Sequence, residues 1–239
     1  MENLLKNHFT IHYGQPISTV AGMTMITNEP YFELEDDNRG NILLHTKVGM
    51  GMARYSNPQK ISITIINYDT FFTSLSHSFQ QGKKRCDLIV YSTNSLKYFL
   101  LNELKNRDYR EDVRQSAVKQ LLESLKTIIE VKIIQNFIDN YDTKMCCIFN
   151  KQPHSPIGIT ATAAFSRLSS VVTNGFKMSN PDIESYGFEL WEFPDNQIYL
   201  LKDRPLNIES MAEQLSKLST KEVDELAGII QLKLNNNTK

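Results

Sequence analysis

The sequence lacks most of the motifs that announce an enzyme class. Three cysteines in 239 residues, two of them adjacent, cannot form a disulfide framework, and no paired-cysteine metal motif is present. There is no Gly-x-Gly-x-x-Gly motif, no Gly-Lys-Ser/Thr phosphate loop and no Gly-x-Ser-x-Gly elbow. The common signatures of dinucleotide enzymes, P-loop nucleotide hydrolases and serine hydrolases are therefore missing.

Long apolar runs are missing too. No stretch approaches the roughly 18 to 20 apolar residues that a membrane span needs, and residues 1–8 lack the basic start and apolar run of a signal peptide. The hydrophobic content of 41% and the charged content of 22% are ordinary for a soluble globular protein. Together with the unpaired cysteines, these features predict a cytoplasmic protein with no membrane partner.

The most informative chemical pattern lies in residues 87–105. The sequence predicts an apolar strand with Asp87 at its entry, a polar turn over residues 93–95, and a second apolar strand that ends in Glu103 and Lys105. Side chains two apart on a strand share a face, and a short turn folds the second strand back along the first. The pattern therefore predicts that Asp87, Glu103 and Lys105 lie in one cluster.

These residue types suit metal-dependent cleavage of a phosphodiester. Asp87 and Glu103 are candidate ligands of a hard divalent cation. The main-chain carbonyl of Leu104, the residue between Glu103 and Lys105, is a further candidate ligand. Lys105 could orient a water molecule or neutralise charge that develops on a phosphate. The alternative explanation is a solvated ion pair, but the apolar strands around these residues favour a site.

Three segments resemble one known family. Residues 84–87, residues 99–105 and the later Ala117, Gln120 and Leu121 look like the PD-(D/E)xK, or restriction-endonuclease-like, nuclease superfamily, although Cys86 stands where the family name has proline. The resemblance covers roughly residues 60–150. It implies a mixed sheet flanked by helices, a Mg²⁺ or Mn²⁺ cofactor, and catalytic roles for Asp87, Glu103 and Lys105.

The resemblance also implies auxiliary residues and a DNA substrate, with RNA left open. Asp69 is the candidate for an additional upstream acid, and Gln120 for a polar residue that faces the site. The net charge of −1 gives no overall attraction to phosphate, so binding would depend on a local basic patch. The candidate nucleic-acid-binding residues are Lys83, Lys84, Arg85, Lys97 and Arg107.

The remaining pattern predicts an α/β (α+β) fold, and the family resemblance implies that its core is restriction-endonuclease-like. The expected organisation is an N-terminal β-rich extension (1–59), the core (60–205) and a C-terminal helical appendage (206–239). The predicted strands are a hairpin over 31–45, a strand over 61–66, a strand over 144–150 and a hairpin over 188–202. The predicted helices are one that Asp69 caps and that ends at about Gln80, one over 113–137, one over about 160–172 and two at the C-terminus. The two adjacent cysteines of the strand over 144–150 should point to opposite faces.

Three functions remain open from the sequence. The first is a Mg²⁺-dependent deoxyribonuclease. The second is an inactive nuclease-fold module that binds nucleic acid or a protein partner, and the third is an unrelated small-molecule enzyme. The apolar face of the terminal helices suits either a homodimer interface, which would match the two strands of a duplex, or a cover over the chain's own core.

Overall fold

The computed structural model describes residues 1–37, 40–93, 97–107, 111–151, 175–193 and 198–201. The predicted helix over 160–172 and the predicted C-terminal helices, with their dimer surface, lie outside these residues. Within the described ranges, no helix is both long and apolar enough to cross a membrane. Met1–Lys202 forms one compact unit.

The described segments contain strands and helices in mixed order. The strands are β1 (Thr24–Thr27), β2 (Tyr31–Asp36), β3 (Ile42–His45), β4 (Ala53–Ser56), β5 (Ile63–Asn67), β6 (Leu88–Ser92), β7 (Tyr98–Lys105), β8 (Thr143–Asn150), β9 (Phe176–Met178), β10 (Glu189–Phe193) and β11 (Ile198–Leu200). The helices are a π-helix (Leu4–Phe9) that continues into α1 (Thr10–His12), then α2 (Tyr68–Thr73), α3 (His77–Gln80), α4 (Glu111–Ile129), α5 (Lys132–Ile138) and α6 (Pro181–Glu184).

A seven-stranded mixed sheet in the order β1-β5-β6-β7-β8-β10-β9 forms the centre of the unit. Strands β5, β6 and β7 are antiparallel neighbours, whereas β7, β8 and β10 run parallel. Parallel neighbours need a crossover connection, and α4 with α5 supplies it between β7 and β8. This crossover places α4 against β7 and thus beside the residues of the predicted site.

Each face of the large sheet has its own apolar core. In β7, Phe99 and Leu101 pack on the side of α4 and α5, and Leu100 and Leu104 pack on the opposite side, toward a second sheet. The two adjacent cysteines of β8 divide in the same way between the cores. The prediction that they point to opposite faces is confirmed, and it follows from the two-residue period of a strand.

The second sheet has four strands in the order β11-β4-β2-β3. The predicted hairpin over 31–45 is confirmed, because β2 and β3 are antiparallel neighbours. The predicted hairpin over 188–202 is wrong. Strand β10 pairs with β8 and β9 in the large sheet, while β11 pairs parallel with β4 in the small one. Both strands have partners distant in sequence, which local alternation does not specify.

Two helix predictions also need correction. Asn67, not Asp69, caps α2, since its side chain accepts a hydrogen bond from the Thr70 backbone N–H at 2.9 Å. The helix expected to reach Gln80 is two short helices, α2 and α3. The helix expected over 113–137 is divided near Val131, whose extended backbone separates α4 from α5. The apolar periodicity continues across that break, so the pattern did not reveal it.

Gly51, just before β4, is packed too tightly for a side chain. A Cβ atom there would lie 2.6 Å from the Glu33 Cβ and 2.8 Å from the Leu34 carbonyl oxygen. We predict that Gly51→Ala lowers the free energy of unfolding by about 2–3 kcal/mol, because the neighbouring strand must shift. Urea denaturation measures this.

Gly82→Ala is the matched control. Gly82 has a left-handed φ of +75° but nothing within 4 Å of its hypothetical Cβ, so the substitution should cost only about 1 kcal/mol. Equal losses for the two variants would show that close packing at Gly51 is not a constraint on the fold.

Candidate active site

Asp87, Glu103 and Lys105 come together where β6 begins and β7 ends. The antiparallel register pairs Leu88 with Asn102, and its continuation sets Asp87 opposite Glu103. The Leu104 backbone N–H donates a hydrogen bond of 2.6 Å to Asp87 Oδ2. The Lys105 ammonium forms an ion pair with Glu103 Oε1. One corner of the sheet thus holds the two acids and the lysine.

Glu103 is a carboxylate with no exposure to water. Its Oε1 atom is paired with Lys105, whereas Oε2 is buried without a hydrogen-bond partner among the described residues. Burial, followed by the negative charge of Asp87, holds the Glu103 pKa well above its usual range, and the opposing effect of Lys105 does not offset them. The ionised form therefore lacks compensation at one oxygen.

Asp87 is less enclosed than Glu103 and keeps some contact with solvent. Burial raises the pKa of Asp87 to about 6, although the Leu104 N–H and the Lys105 charge act in the opposite direction. The charges of Asp36 and Asp69 add to the increase. The corner therefore accumulates more negative charge than Lys105 alone neutralises.

Gln120 on α4 is a second side chain that holds Lys105. Its Oε1 atom accepts a hydrogen bond of 3.2 Å from Lys105 Nζ, and its Nε2 atom donates one of 3.0 Å to the Arg85 carbonyl. The predicted orientation of Gln120 toward the site is thus observed. Because both ends of the amide are engaged, Gln120 links the lysine to the segment that leads into Asp87.

A cleft of about 340 Å³ opens in front of this corner. Its lining consists of Asp69, Lys83, Lys84, Arg85, Asp87 and Gln120. Asp69 forms an ion pair with the Arg85 guanidinium, which also donates a hydrogen bond of 3.0 Å to the Thr73 hydroxyl. Asp69 thus reaches the cleft, but its side chain is engaged by Arg85.

The basic residues predicted to bind nucleic acid do not all lie at the site. The Lys83 ammonium lies over the Phe79 ring at 4.0 Å from its centroid, while Arg107 follows β7 at the site end and is exposed. Lys97 precedes β7, so about 26 Å of extended strand separates it from Lys105. Its assignment to the same basic patch is wrong, since proximity in sequence does not mean proximity along a strand.

The sequence pattern did not predict two residues that lie near the site, Asp36 and Ser124. Asp36 ends β2, and its negative charge contributes to the raised pKa of Asp87. Gly40, four residues later, is held at the start of α2 because its carbonyl accepts hydrogen bonds from the side chains of Asn67 and Thr70. Ser124 on α4 accepts a 2.7 Å hydrogen bond from the Cys86 N–H, just before Asp87. Neither has a local sequence signal: Asp36 looks like part of a polar turn, and Ser124 interrupts an apolar stripe.

The donor set fits a divalent cation in part. Glu103 Oε2, which no described residue contacts by a hydrogen bond, and the second oxygen of Asp87 are carboxylate oxygens, which Mg²⁺ and Mn²⁺ favour. In the described part of the chain, no group of three or more His, Cys, Asp and Glu side chains could hold a metal. Mg²⁺ often binds through one or two carboxylates and substrate phosphate oxygens, which is the arrangement these two residues could provide.

Comparisons of the chain with protein-family models, with curated proteins and with solved structures found no match.

We predict that Asp87→Asn stabilises the metal-free protein near neutral pH. The raised pKa means that folding disfavours the carboxylate, so wild-type stability falls as the pH rises from about 4 to above 6. Asparagine can still accept the Leu104 hydrogen bond but carries no charge. The variant should gain about 1–2 kcal/mol at about pH 7.5 and almost nothing at about pH 4. Urea denaturation in EDTA at both pH values measures it.

The control is Asp142→Asn, at an exposed aspartate just before β8 and at the far end of the sheet. It should change the free energy of unfolding by less than about 0.5 kcal/mol. A gain for Asp87→Asn that is the same at both pH values would contradict the linkage to ionisation.

Proposed function

We propose that the protein is a metal-dependent nuclease of the PD-(D/E)xK type that hydrolyses phosphodiester bonds in DNA with Mg²⁺ or Mn²⁺. The observation that carries the proposal is the buried carboxylate of Glu103, next to Asp87 and Lys105. Its Oε2 atom has no hydrogen-bond partner in the part of the chain that the structure describes. An unpaired charge of this kind is costly in a stable core. A function that supplies a cation explains why it is present.

Asp87 and Glu103 would hold the cation, with the Leu104 carbonyl as a further candidate ligand. When bound, the cation would supply a Lewis acid that withdraws charge from the scissile phosphate. The two carboxylates come from different strands, so the β6–β7 register fixes their separation. Leu104 also contributes its backbone N–H, which orients the Asp87 carboxylate.

Lys105 would act on the water or on the phosphate. Its ammonium is held between the Glu103 carboxylate and the Gln120 side-chain oxygen. A charged ammonium can donate a hydrogen bond to an attacking water or neutralise charge on a phosphate oxygen. Gln120 would act as a positioning residue, because it contacts the lysine and the Arg85 backbone.

The cleft offers a path for the phosphate backbone. Lys83, Lys84 and Arg85 line its mouth, and Arg107 is exposed at the same end of β7. Such residues supply the salt-dependent, sequence-independent part of nucleic-acid affinity. With a formal net charge of −1 over the whole chain, this local patch would have to provide the attraction.

One observation favours a second candidate, a nuclease-fold module that binds nucleic acid or protein without cutting. Among the described residues, no third acidic or histidine side chain joins Asp87 and Glu103 to complete a metal-binding group. In that case the Glu103–Lys105 ion pair would be structural. Binding of DNA without cleavage under every metal condition would support this candidate over the nuclease.

We predict that Lys105→Ala reduces cleavage of plasmid and linear DNA by about 10²–10⁴-fold, because the group that activates water or neutralises charge is removed. Wild-type activity should require Mg²⁺ or Mn²⁺ and disappear in EDTA. RNA of the same sequence, tested in parallel, identifies the preferred nucleic acid.

Lys97→Ala is the matched control, since it removes the same charge at the other end of the same strand. It should leave the cleavage rate within about twofold of wild type. Equal activity of wild type and Lys105→Ala would assign the cleavage to another site or to a contaminant.

A further inference from the structure

We infer that the β3–β4 loop (residues 46–52) is a DNA-contacting element that inserts the side chains of Val48 and Met50 against the bases of a duplex. This inference rests on the proposed function, which makes DNA the substrate. It adds a specific contact surface, outside the cleft, that neither the metal ligands nor the lysine provide.

The loop is held rigidly by a buried carboxylate. Glu33 is fully buried and accepts hydrogen bonds from the backbone N–H groups of Gly49, at 2.8 Å, and Gly51, at 2.5 Å. The Tyr31 hydroxyl also donates to Glu33, and the Arg54 guanidinium lies 3.1 Å away. A loop fixed in this way loses little conformational entropy on binding.

This rigid loop exposes apolar side chains. Val48 is 71% exposed and Met50 is 48% exposed, although each is next to Gly49, whose backbone is tied to Glu33. Residues that are ordered but not buried contribute nothing to the core. Exposed apolar side chains on a fixed loop are typical of a recognition surface.

The loop lies at the site end of the large sheet. The Met50 carbonyl accepts a hydrogen bond of 2.9 Å from Lys151 Nζ, and the Lys151 backbone N–H donates one of 2.9 Å to the Lys105 carbonyl. One residue therefore contacts both the loop and the end of β7. A duplex whose backbone reaches Lys105 would pass beside the loop.

Basic residues lie within the loop, against it and beyond the neighbouring end of β7. Lys47 is exposed within the loop, Lys151 lies against it, and Arg107 is exposed beyond the end of β7. Basic residues near an apolar pair complement a duplex, in which phosphates border the stacked bases. Apolar side chains, methionine included, act as wedges that partly unstack a base step in several DNA-binding proteins.

The test is DNA binding by the full chain in EDTA, where cleavage does not interfere. A fluorescein-labelled duplex reports affinity by anisotropy, and a second duplex with 2-aminopurine reports unstacking by increased fluorescence. Val48→Ser combined with Met50→Ser should weaken binding by about tenfold and abolish the 2-aminopurine signal. Met50→Leu should retain both, and Lys47→Ala should reduce the salt slope by about one.

Ile26→Ser is the matched control, because Ile26 is 70% exposed on β1. The strand registers place it level with Phe99, far from Lys105 along β7. It should bind DNA like wild type, and urea denaturation should show that all variants fold. Wild-type affinity of the double serine variant, or no binding of DNA by wild type, would overturn the inference.

The cleavage assay separates the two claims. If wild type cleaves DNA and the double serine variant binds as well as wild type, only the inference about the loop fails. If wild type binds through the loop but cleaves nothing, the nuclease proposal fails and the DNA contact stands. A 2-aminopurine signal that is absent from wild type would contradict insertion.

Discussion

The buried carboxylate of Glu103 is the constraint on which the rest of this site depends. An ion taken out of water costs several kcal/mol unless partners replace its hydration, and Lys105 replaces it at only one oxygen. The sheet must then enclose an incompletely compensated charge between β6 and β8, under α4. Asp87 intensifies the problem, because its negative charge further raises the Glu103 pKa. A bound cation would relieve both carboxylates at once.

The elements that form the core also form the site. Strands β6 and β7 supply the acids and the lysine, while α4 buries Leu121 and Leu125 in the core and extends Gln120 to Lys105 from the same helix. Ser124 joins this helix to the strand entry at Cys86. A shift of α4 would therefore move the lysine and the acid together. In the small sheet, Glu33 accepts hydrogen bonds from two backbone N–H groups of the β3–β4 loop and so fixes the loop beside the end of β7.

The sequence predicted the local geometry of the site, because strand alternation and one antiparallel turn suffice to bring Asp87, Glu103 and Lys105 together. The orientation of Gln120 toward the site came from the family resemblance, because a glutamine beside the apolar stripe of α4 does not by itself indicate a site residue. The failures concern long-range pairing: β10 and β11 look like a hairpin but join different sheets. Lys97 lies at the opposite end of β7 from Lys105, and a cluster of charges in the sequence does not show which end of a strand each one occupies. Asp36 and Glu33 depend on contacts with distant segments, which no local pattern records.

The most direct test of the central claim is a crystal structure of the wild-type protein with Mn²⁺, with anomalous diffraction data collected to locate the ion. We predict one strong anomalous peak at about 2.1 Å from carboxylate oxygens of both Asp87 and Glu103, with Lys105 beside it. The same experiment on Glu103→Gln should show a weak peak or none. A wild-type crystal at millimolar Mn²⁺ with no peak at this corner, and with the Glu103–Lys105 ion pair unchanged, would contradict the account.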